Sequence, residues 1–141
     1  TQEIIWNDPH TLFASIHEAP LYPFTGTVEE TGSANNVINA PLSAGATGDQ
    51  FREAFRDRIL RRLHDFGPDL ILISAGFDAH HRDRVSHINL TGEDFDWATG
   101  RVMEIAEDRG HNRVVSLLEG GYDLEGLAES AGLHISRLIR G

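Results

Sequence analysis

Two kinds of apolar spacing alternate along the chain from residue 48 onward. Between residues 49 and 65, apolar side chains recur every three or four positions, as on the buried face of an amphipathic helix. These residues are Phe51, Phe55, Ile59, Leu60 and Leu63. Gly67-Pro68 ends the pattern, and residues 69–74 form a continuous aliphatic run, which is typical of a parallel strand buried on both faces. We therefore predict a helix over about 49–65 and then a central strand.

The alternation continues to the end of the chain. Thr91 and Asp94 have the spacing of a capping box, so we expect a helix that begins there, reaches about Arg109 and ends at Gly110. Residues 113–118 predict the next strand, and a helix with an apolar stripe follows it. The stripe consists of Leu124, Leu127, Ala131, Ile135 and Leu138.

Upstream, residues 12–17 and 37–42 predict two more strands, separated by a segment over 18–36 that is too long for a tight turn. Within that segment, Asn35-Asn36 has the composition of an ordinary turn. Strands that alternate with helices require right-handed crossovers and a parallel sheet covered by helices. The predicted fold class is therefore α/β, with an open parallel sheet.

Composition narrows the classes of function. The 141 residues contain 12 Lys and Arg against 22 Asp and Glu, a net charge of −10 that disfavours binding to a nucleic-acid backbone. The length suits one domain, and no apolar run approaches the roughly 20 residues that span a bilayer. Because the chain has no cysteine, any metal must use His and carboxylate ligands, and we expect a reducing, cytoplasmic location. The only methionine is Met103, so we expect the chain to be part of a longer protein.

Two polar loops follow predicted strands, at the edge where open parallel sheets bind ligands. The loop over 74–83 contains Asp78, His80 and His81, and the loop over 119–123 contains Tyr122. If the two strands are neighbours, Asp78 and Tyr122 face one cavity.

Each of these side chains has two interpretations. Asp78 with His80 and His81 suits a metal such as zinc, although a strand-end Asp also caps turns and His pairs in polar loops are often solvated. Tyr122 follows two glycines, and its hydroxyl suits a developing oxyanion, although simple packing beside the last helix is the more ordinary explanation. Asp83 is expected to be a loop or helix-entry carboxylate.

Seven short motifs follow one another along the chain. They are Thr1-Gln2, Ser15-Ile16-His17, Leu21-Tyr22-Pro23 with Thr25-Gly26, Glu30-Thr31-Gly32, Asn39 through Leu42, Ser-Ala-Gly-Phe-Asp-Ala-His over 74–80 and Leu-Glu-Gly-Gly-Tyr-Asp-Leu over 118–124. Together they resemble the zinc-dependent histone deacetylase family, in its bacterial and class II-like branch. The resemblance implies a three-layer αβα fold of the arginase-deacetylase type and hydrolysis of an acetyl-amide on lysine or a polyamine. It implies that residues 1–141 are the C-terminal part of a single catalytic domain.

The resemblance also implies roles for individual residues. Asp78 falls on the family's last zinc ligand, and Tyr122 falls on the catalytic tyrosine, which stabilises the tetrahedral intermediate. Tyr22 resembles the aromatic residue beside the acyl-lysine tunnel, and Gly120 and Gly121 would line the same pocket. Six residues are candidate potassium ligands by the same resemblance: Ser15 and Ile16 in one site, and Ile5, Asp8, Thr11 and Phe51 in another.

The chain departs from the family in three respects. The family's first two zinc ligands and its tandem histidines precede Thr1-Gln2, so these 141 residues lack them and we expect the piece alone to be inactive. Phe24 stands where the family usually has glycine, and a positive φ would strain a phenylalanine and reshape the tunnel rim. Residues 81–85 also depart from the family's Asp-Pro-Leu sequence.

Two alternative functions remain open. One is a noncatalytic module that binds acyl-lysine; the other is an arginase-like dimanganese ureohydrolase, whose second motif Asp would fall one place late, at Asp83. A dinucleotide-binding domain is disfavoured because no strand precedes a G-x-G-x-x-G sequence. The expected partners are an acetylated lysine peptide or an acetylated small amine, with no direct binding of nucleic acid or membrane. An unpaired sheet edge would favour a homo-oligomer.

Overall fold

The structure is a computed structural model that describes residues 1–109 and 112–141. Its strands are β1 Phe13–Glu18, β2 Val37–Leu42, β3 Ile71–Ala75 and β4 Val114–Leu118. Its α-helices are α1 Gln2–Ile5, α2 Gly48–Ala54, α3 Arg61–Phe66, α4 Gly92–Asp108 and α5 Leu124–Arg140. The four predicted strands and three predicted helices are present, whereas the short α1 was not predicted. The predicted helix end at Gly110 lies outside the described residues.

The helix predicted over 49–65 is built from α2, a π-helical segment at Phe55–Leu60, and α3. It begins with a capping box in which the Thr47 N–H donates to Gln50 Oε1 at 2.9 Å. It ends at Gly67, whose φ of 64° is the left-handed conformation that favours glycine. The predicted apolar face is confirmed, since its residues are buried or packed against the core. The π segment was not predicted, because the wider turn leaves these apolar residues on the same side.

The strands form two parallel pairs, which place the carboxyl ends of paired strands side by side. In the first pair, β1 runs beside β2 from Phe13↔Val37 to Glu18↔Leu42. In the second, β3 runs beside β4 from Ile71↔Val114 to Ala75↔Leu118. Within the described part of the chain, the two pairs are not hydrogen-bonded to each other. The parallel arrangement agrees with the predicted α/β class.

The core joins both strand pairs to the helices. Its largest side chains come from the α2–π segment and α4, where the rings of Phe55 and Trp97 meet edge to face with centroids 5.8 Å apart. Ile38 and Ala40 of β2 and Ile71 of β3 pack into the same cluster. This shared core holds the carboxyl ends of β1, β3 and β4 at fixed positions, and the loops that follow them form the candidate site.

The predicted apolar stripe of α5 is only partly correct. Leu124 and Ile135 are exposed, while the buried residues of the helix are Gly126, Ser130 and His134. Hydrogen bonds of His134 explain why this face of α5 is buried. Its two ring nitrogens lie 2.7 Å from the Thr99 hydroxyl and 2.8 Å from the Ser116 hydroxyl. The small residues let α5 approach closely, and the polar ring connects it to α4 and β4.

The central strands are also less covered than predicted. Leu72 of β3 and Val115 and Leu117 of β4 are exposed, although a parallel pair of this kind is normally buried on both faces. The prediction of burial on both faces is therefore wrong for this chain taken by itself. Separately, none of the helices within residues 1–109 and 112–141 has the length and apolar character needed to cross a membrane.

Candidate active site

Two loops are joined directly at the carboxyl ends of β3 and β4. The Phe77 N–H donates to the Gly120 carbonyl at 2.9 Å, and the Glu119 N–H donates to the Ala75 carbonyl at 3.0 Å. The loop that contains Asp78 and the loop that contains Tyr122 therefore leave the sheet side by side. This is the edge at which open α/β sheets bind ligands.

The Asp78 carboxylate lies in a cradle formed by two glycines. A Cβ added at Gly120 would meet its carboxyl carbon at 2.9 Å, and one added at Gly76 would meet Oδ1 at 3.1 Å. Only residues without a side chain leave this space for the carboxylate. Burial raises the pKa of Asp78, and the nearby charge of Asp83 adds to the increase. A carboxylate that is half-buried and raised in pKa is a group that a cation would stabilise.

Tyr122 presents its ring to solvent while its main chain is held firmly. The side chain is 66% exposed. The Tyr122 N–H donates to Asp83 Oδ2 at 2.6 Å. Gly121 precedes it with a φ of 134°, and a Cβ there would meet the Leu127 side chain at 2.9 Å. A glycine is therefore required at 121 both by the backbone conformation and by the contact with α5.

Asp83 connects the two loops. Its carboxylate is only 8% exposed, and it accepts the N–H groups of Tyr122, Asp123 at 3.2 Å and Val85 at 2.9 Å. Burial alone would raise the pKa of Asp83, but these hydrogen bonds lower it on balance. The sequence indicates only a loop carboxylate at Asp83, because no local signal links it to Tyr122, 39 positions further along the chain.

The two histidines of the Asp78 loop contact other groups of the protein, although His80 Nε2 is buried without a hydrogen-bond partner. His80 is buried, its Nδ1 accepts the Arg82 N–H at 3.3 Å, and its Nε2 lies 3.6 Å from a Glu129 oxygen. His81 Nδ1 donates to the Leu90 carbonyl at 3.2 Å. Among the residues that the structure describes, no three His, Cys, Asp or Glu side chains form a group able to hold a metal ion. Asp78 thus fits one ligand of a metal site, and the described chain does not supply the others.

The loop after β1 carries two strongly exposed aromatic residues. Tyr22 is 84% exposed and Phe24 is 76% exposed. Phe24 has a φ of 63°, the left-handed conformation considered from the sequence. The predicted backbone strain is therefore present at Phe24, and burial of the ring does not offset it because the ring is exposed.

Glu18, at the end of β1, ties this loop region to the segment that follows the Asp78 loop. Its carboxylate accepts the Ser86 hydroxyl at 3.0 Å and the His87 N–H at 2.6 Å, and it lies 2.9 Å from His87 Nδ1. One residue earlier in β1, His17 Nε2 donates to the Gly26 carbonyl at 3.1 Å. The Glu18 contacts therefore link the carboxyl end of β1 to residues 86 and 87.

The potassium candidates separate into one convergent set and several isolated residues. The carbonyls of Ile5, Asp8 and Thr11 lie 2.9, 2.9 and 3.1 Å from Asn36 Nδ2. The predicted turn is present at Asn35, whose φ is 54°, whereas Asn36 directly precedes β2 and is buried. Phe51 lies in α2, where its carbonyl accepts the Phe55 N–H.

Of the two candidates in β1, Ser15 has a clear polar contact and Ile16 has an apolar one. Ser15 Oγ lies 2.9 Å from His17 Nδ1. Because His17 Nε2 donates to a carbonyl, Nδ1 of a neutral His17 accepts and the Ser15 hydroxyl donates to it. Ile16 packs against the core. The ligand roles of both residues stay predictions.

Comparisons with known proteins agree with this architecture. A family model described as the histone deacetylase domain matches residues 1–138. A probable deacetylase of Archaeoglobus fulgidus is 38% identical over 100% of this chain and 40% of its own length. A chloroplastic histone deacetylase 10 of Oryza sativa subsp. japonica is 36% identical over 92% of this chain and 30% of its own length. The solved histone deacetylase Clr3 superposes with a TM-score of 0.91 at 31% identity, over 99% of this chain and 24% of that chain.

The parallel strand pairs, the covering helices and these superpositions define a partial α/β fold of the arginase-deacetylase type. The chain belongs to the histone deacetylase family. It spans about 40% of the length of the first curated relatives it matches.

Proposed function

We propose that the intact protein is a zinc-dependent deacetylase that hydrolyses acetyl-amide bonds of acetylated lysine peptides or acetylated small amines. The observation that carries this proposal is the position of the Asp78 carboxylate, which a Cβ at Gly120, two residues before Tyr122, would meet at 2.9 Å. A metal-binding carboxylate and a hydroxyl donor thereby share one edge of the sheet. The family membership supports the same reaction.

Each residue has a defined part in this reaction. Zinc, when bound, supplies Lewis acidity for the acetyl oxygen and lowers the pKa of a bound water. Asp78 would hold the ion through its carboxylate. The Tyr122 hydroxyl donates a hydrogen bond to the oxygen that becomes negative in the tetrahedral intermediate. Tyr22 offers a flat apolar surface for the alkyl chain of a substrate whose amine charge acetylation has removed.

We further propose that residues 1–141 form the C-terminal part of one catalytic domain and are inactive by themselves. The exposure of Leu72, Val115 and Leu117 supports this, because an apolar strand face of this kind needs a cover. The share of the relatives' length that the chain spans agrees with it. The missing zinc ligands and general base belong to the remaining part. Residues 1–141 in isolation would self-associate through this exposed strand face. The cytoplasmic location of the protein stays a prediction.

Potassium is the second proposed ion. The convergence of the Ile5, Asp8 and Thr11 carbonyls on one amide nitrogen supports a cation near them, because it brings three carbonyl oxygens to one place. Carbonyl oxygens suit a hard cation.

The two alternative functions, an arginase-like dimanganese ureohydrolase and a noncatalytic module that binds acyl-lysine, differ in support. Asp83 uses its carboxylate to accept three main-chain N–H groups, which argues against a second manganese ligand there. A noncatalytic binding module makes a distinct prediction, namely that acetylated peptides bind to the full-length protein without release of acetate.

The proposal is tested by acetate release from acetyl-lysine peptides and acetylated polyamines with the zinc-loaded full-length protein. Tyr122→Phe removes one hydroxyl and should lower kcat by about 10²–10³-fold while substrate still binds. Asp78→Asn should abolish zinc retention, whereas Asp65→Asn, at an exposed surface carboxylate, should match the wild type. Residues 1–141 alone should show no activity. Full-length protein that binds zinc but hydrolyses none of these substrates would refute the proposal.

A further inference from the structure

The main chain around Tyr122 is held by hydrogen bonds on both sides of the residue. On one side, the Gly120 carbonyl accepts the Phe77 N–H at 2.9 Å. On the other, Asp83 Oδ2 accepts the Tyr122 N–H at 2.6 Å and the Asp123 N–H at 3.2 Å. The first contact is between two main-chain groups, so Asp83 is the side chain that completes the grip.

The Tyr122 ring itself has little packing, because it is 66% exposed. Its direction therefore depends on how the main chain beneath it is held. Gly121, at a φ of 134°, makes that main chain intrinsically permissive. A permissive loop that must present a hydroxyl at one position needs an anchor from elsewhere in the fold.

We propose that Asp83 is a positioning residue, whose buried carboxylate holds the Tyr122 main chain beside the Asp78 carboxylate. The inference rests on the proposed deacetylase function for the role of Tyr122. Asp83 itself acts only through the loop, since its oxygens are occupied by N–H groups.

A carboxylate is needed at this position rather than an amide. The Tyr122 and Asp123 N–H groups converge on Oδ2, and the Val85 N–H donates to Oδ1, so both oxygens must accept. In Asp83→Asn, one oxygen becomes an NH2 group that faces at least one N–H donor. The NH2 group and the main-chain N–H then face each other with no acceptor between them. The loop must shift, because an unpaired donor is costly.

The test uses the zinc-loaded full-length protein with Asp83→Asn and, as a matched control, Asp96→Asn. Asp96 is also a carboxylate with a lowered pKa, caused by hydrogen bonding to Arg137 on α5, but it lies outside the candidate site. Three readouts are taken: kcat and KM for an acetyl-lysine peptide, thermal unfolding, and hydrogen exchange of the main chain over residues 119–124.

We expect Asp83→Asn to lower kcat by about 10- to 100-fold with KM within about threefold of the wild type, as for a displaced reacting group. Its 119–124 segment should exchange faster, while Asp96→Asn changes neither readout at a comparable loss of thermal stability. Asp83→Glu, which restores two accepting oxygens, should recover part of kcat.

The outcomes separate this inference from the proposed function. An active wild type with equal kcat losses in Asp83→Asn and Asp96→Asn would overturn the positioning role alone. Unchanged hydrogen exchange in Asp83→Asn would overturn it as well, whatever the activity. A wild type that lacks activity would refute the deacetylase, and faster exchange in Asp83→Asn would then still support Asp83 as the anchor of this loop.

Discussion

Gly120→Ala places one methyl group where the structure leaves no room for it. The added Cβ would lie 2.9 Å from the Asp78 carboxyl carbon and 3.0 and 3.1 Å from its two oxygens. Ordinary contacts of a Cβ begin near 3.4 Å and extend to 4 Å, so the carboxylate must retreat by about 0.5–1 Å. Since Asp78 is proposed to bind the zinc ion, the substitution displaces the ion's ligand while it leaves the ligand's chemistry unchanged.

The expected effect is large on activity and small on stability. A displacement of about 1 Å at a reacting group costs on the order of 100-fold in rate, so we expect kcat/KM to fall by about 10- to 100-fold. The obstructed group is the end of a flexible side chain, and Gly120 has no positive φ that alanine would strain. The fold therefore tolerates the methyl group by moving Asp78.

The assay uses the full-length protein, with zinc affinity measured by competition with a chelator and activity measured by acetate release. Gly132→Ala is the matched control, because a Cβ there meets nothing within 4 Å and the residue lies within α5. It should stabilise the helix by about 1 kcal/mol and leave zinc affinity and activity unchanged.

Wild-type zinc affinity together with wild-type kcat/KM in Gly120→Ala would refute the reasoning, because the carboxylate cannot keep its position with the methyl group present. A drop in thermal stability of the same size as that of a core substitution would also count against it. In that case the lost activity would reflect unfolding instead of a displaced ligand.

Two further predictions concern stability, both measured by urea unfolding. Burial alone would raise the pKa of Glu18, but hydrogen bonds from His87 and Ser86 lower it on balance, so Glu18→Gln should cost about 1–3 kcal/mol at pH 7. That difference should shrink as pH falls through the carboxyl range, and a constant difference down to pH 3 would contradict it. Burial lowers the pKa of His134, so the unfolded chain binds more protons and stability should fall as pH drops below about 6.5, the ordinary His value. His134→Gln should lose less stability between pH 7 and 5, and equal slopes would disprove this cause.

Local signals in the sequence predicted the elements well. The Thr91 and Asp94 capping box is present at the start of α4, where the Thr91 N–H donates to Asp94 Oδ2 at 2.9 Å. The apolar spacing of the 49–65 helix likewise marked its buried face. Both signals depend on residues within a few positions of each other, so neighbouring residues suffice to specify them.

The same reasoning failed where burial depends on distant partners. Apolar spacing in α5 indicated Leu124 and Ile135 as its buried face, yet Ser130 and His134 are buried instead. The hydroxyls of Thr99 and Ser116 make that polar face suitable for burial, and neither is near His134 in sequence. Hydrophobic periodicity cannot reveal such hydrogen-bond partners, because it considers only whether each residue is apolar or polar.

By itself, the sequence determined the order of strands and helices, the parallel α/β class, and the two loops that contain Asp78 and Tyr122. Only the tertiary structure decided that the Asp78 carboxylate lies against Gly120 and that Asp83 holds the Tyr122 main chain. The physical reason is range: helix caps and apolar periods act between near neighbours. The contact between two loops exists only once β3 and β4 pair in parallel and bring their carboxyl ends together.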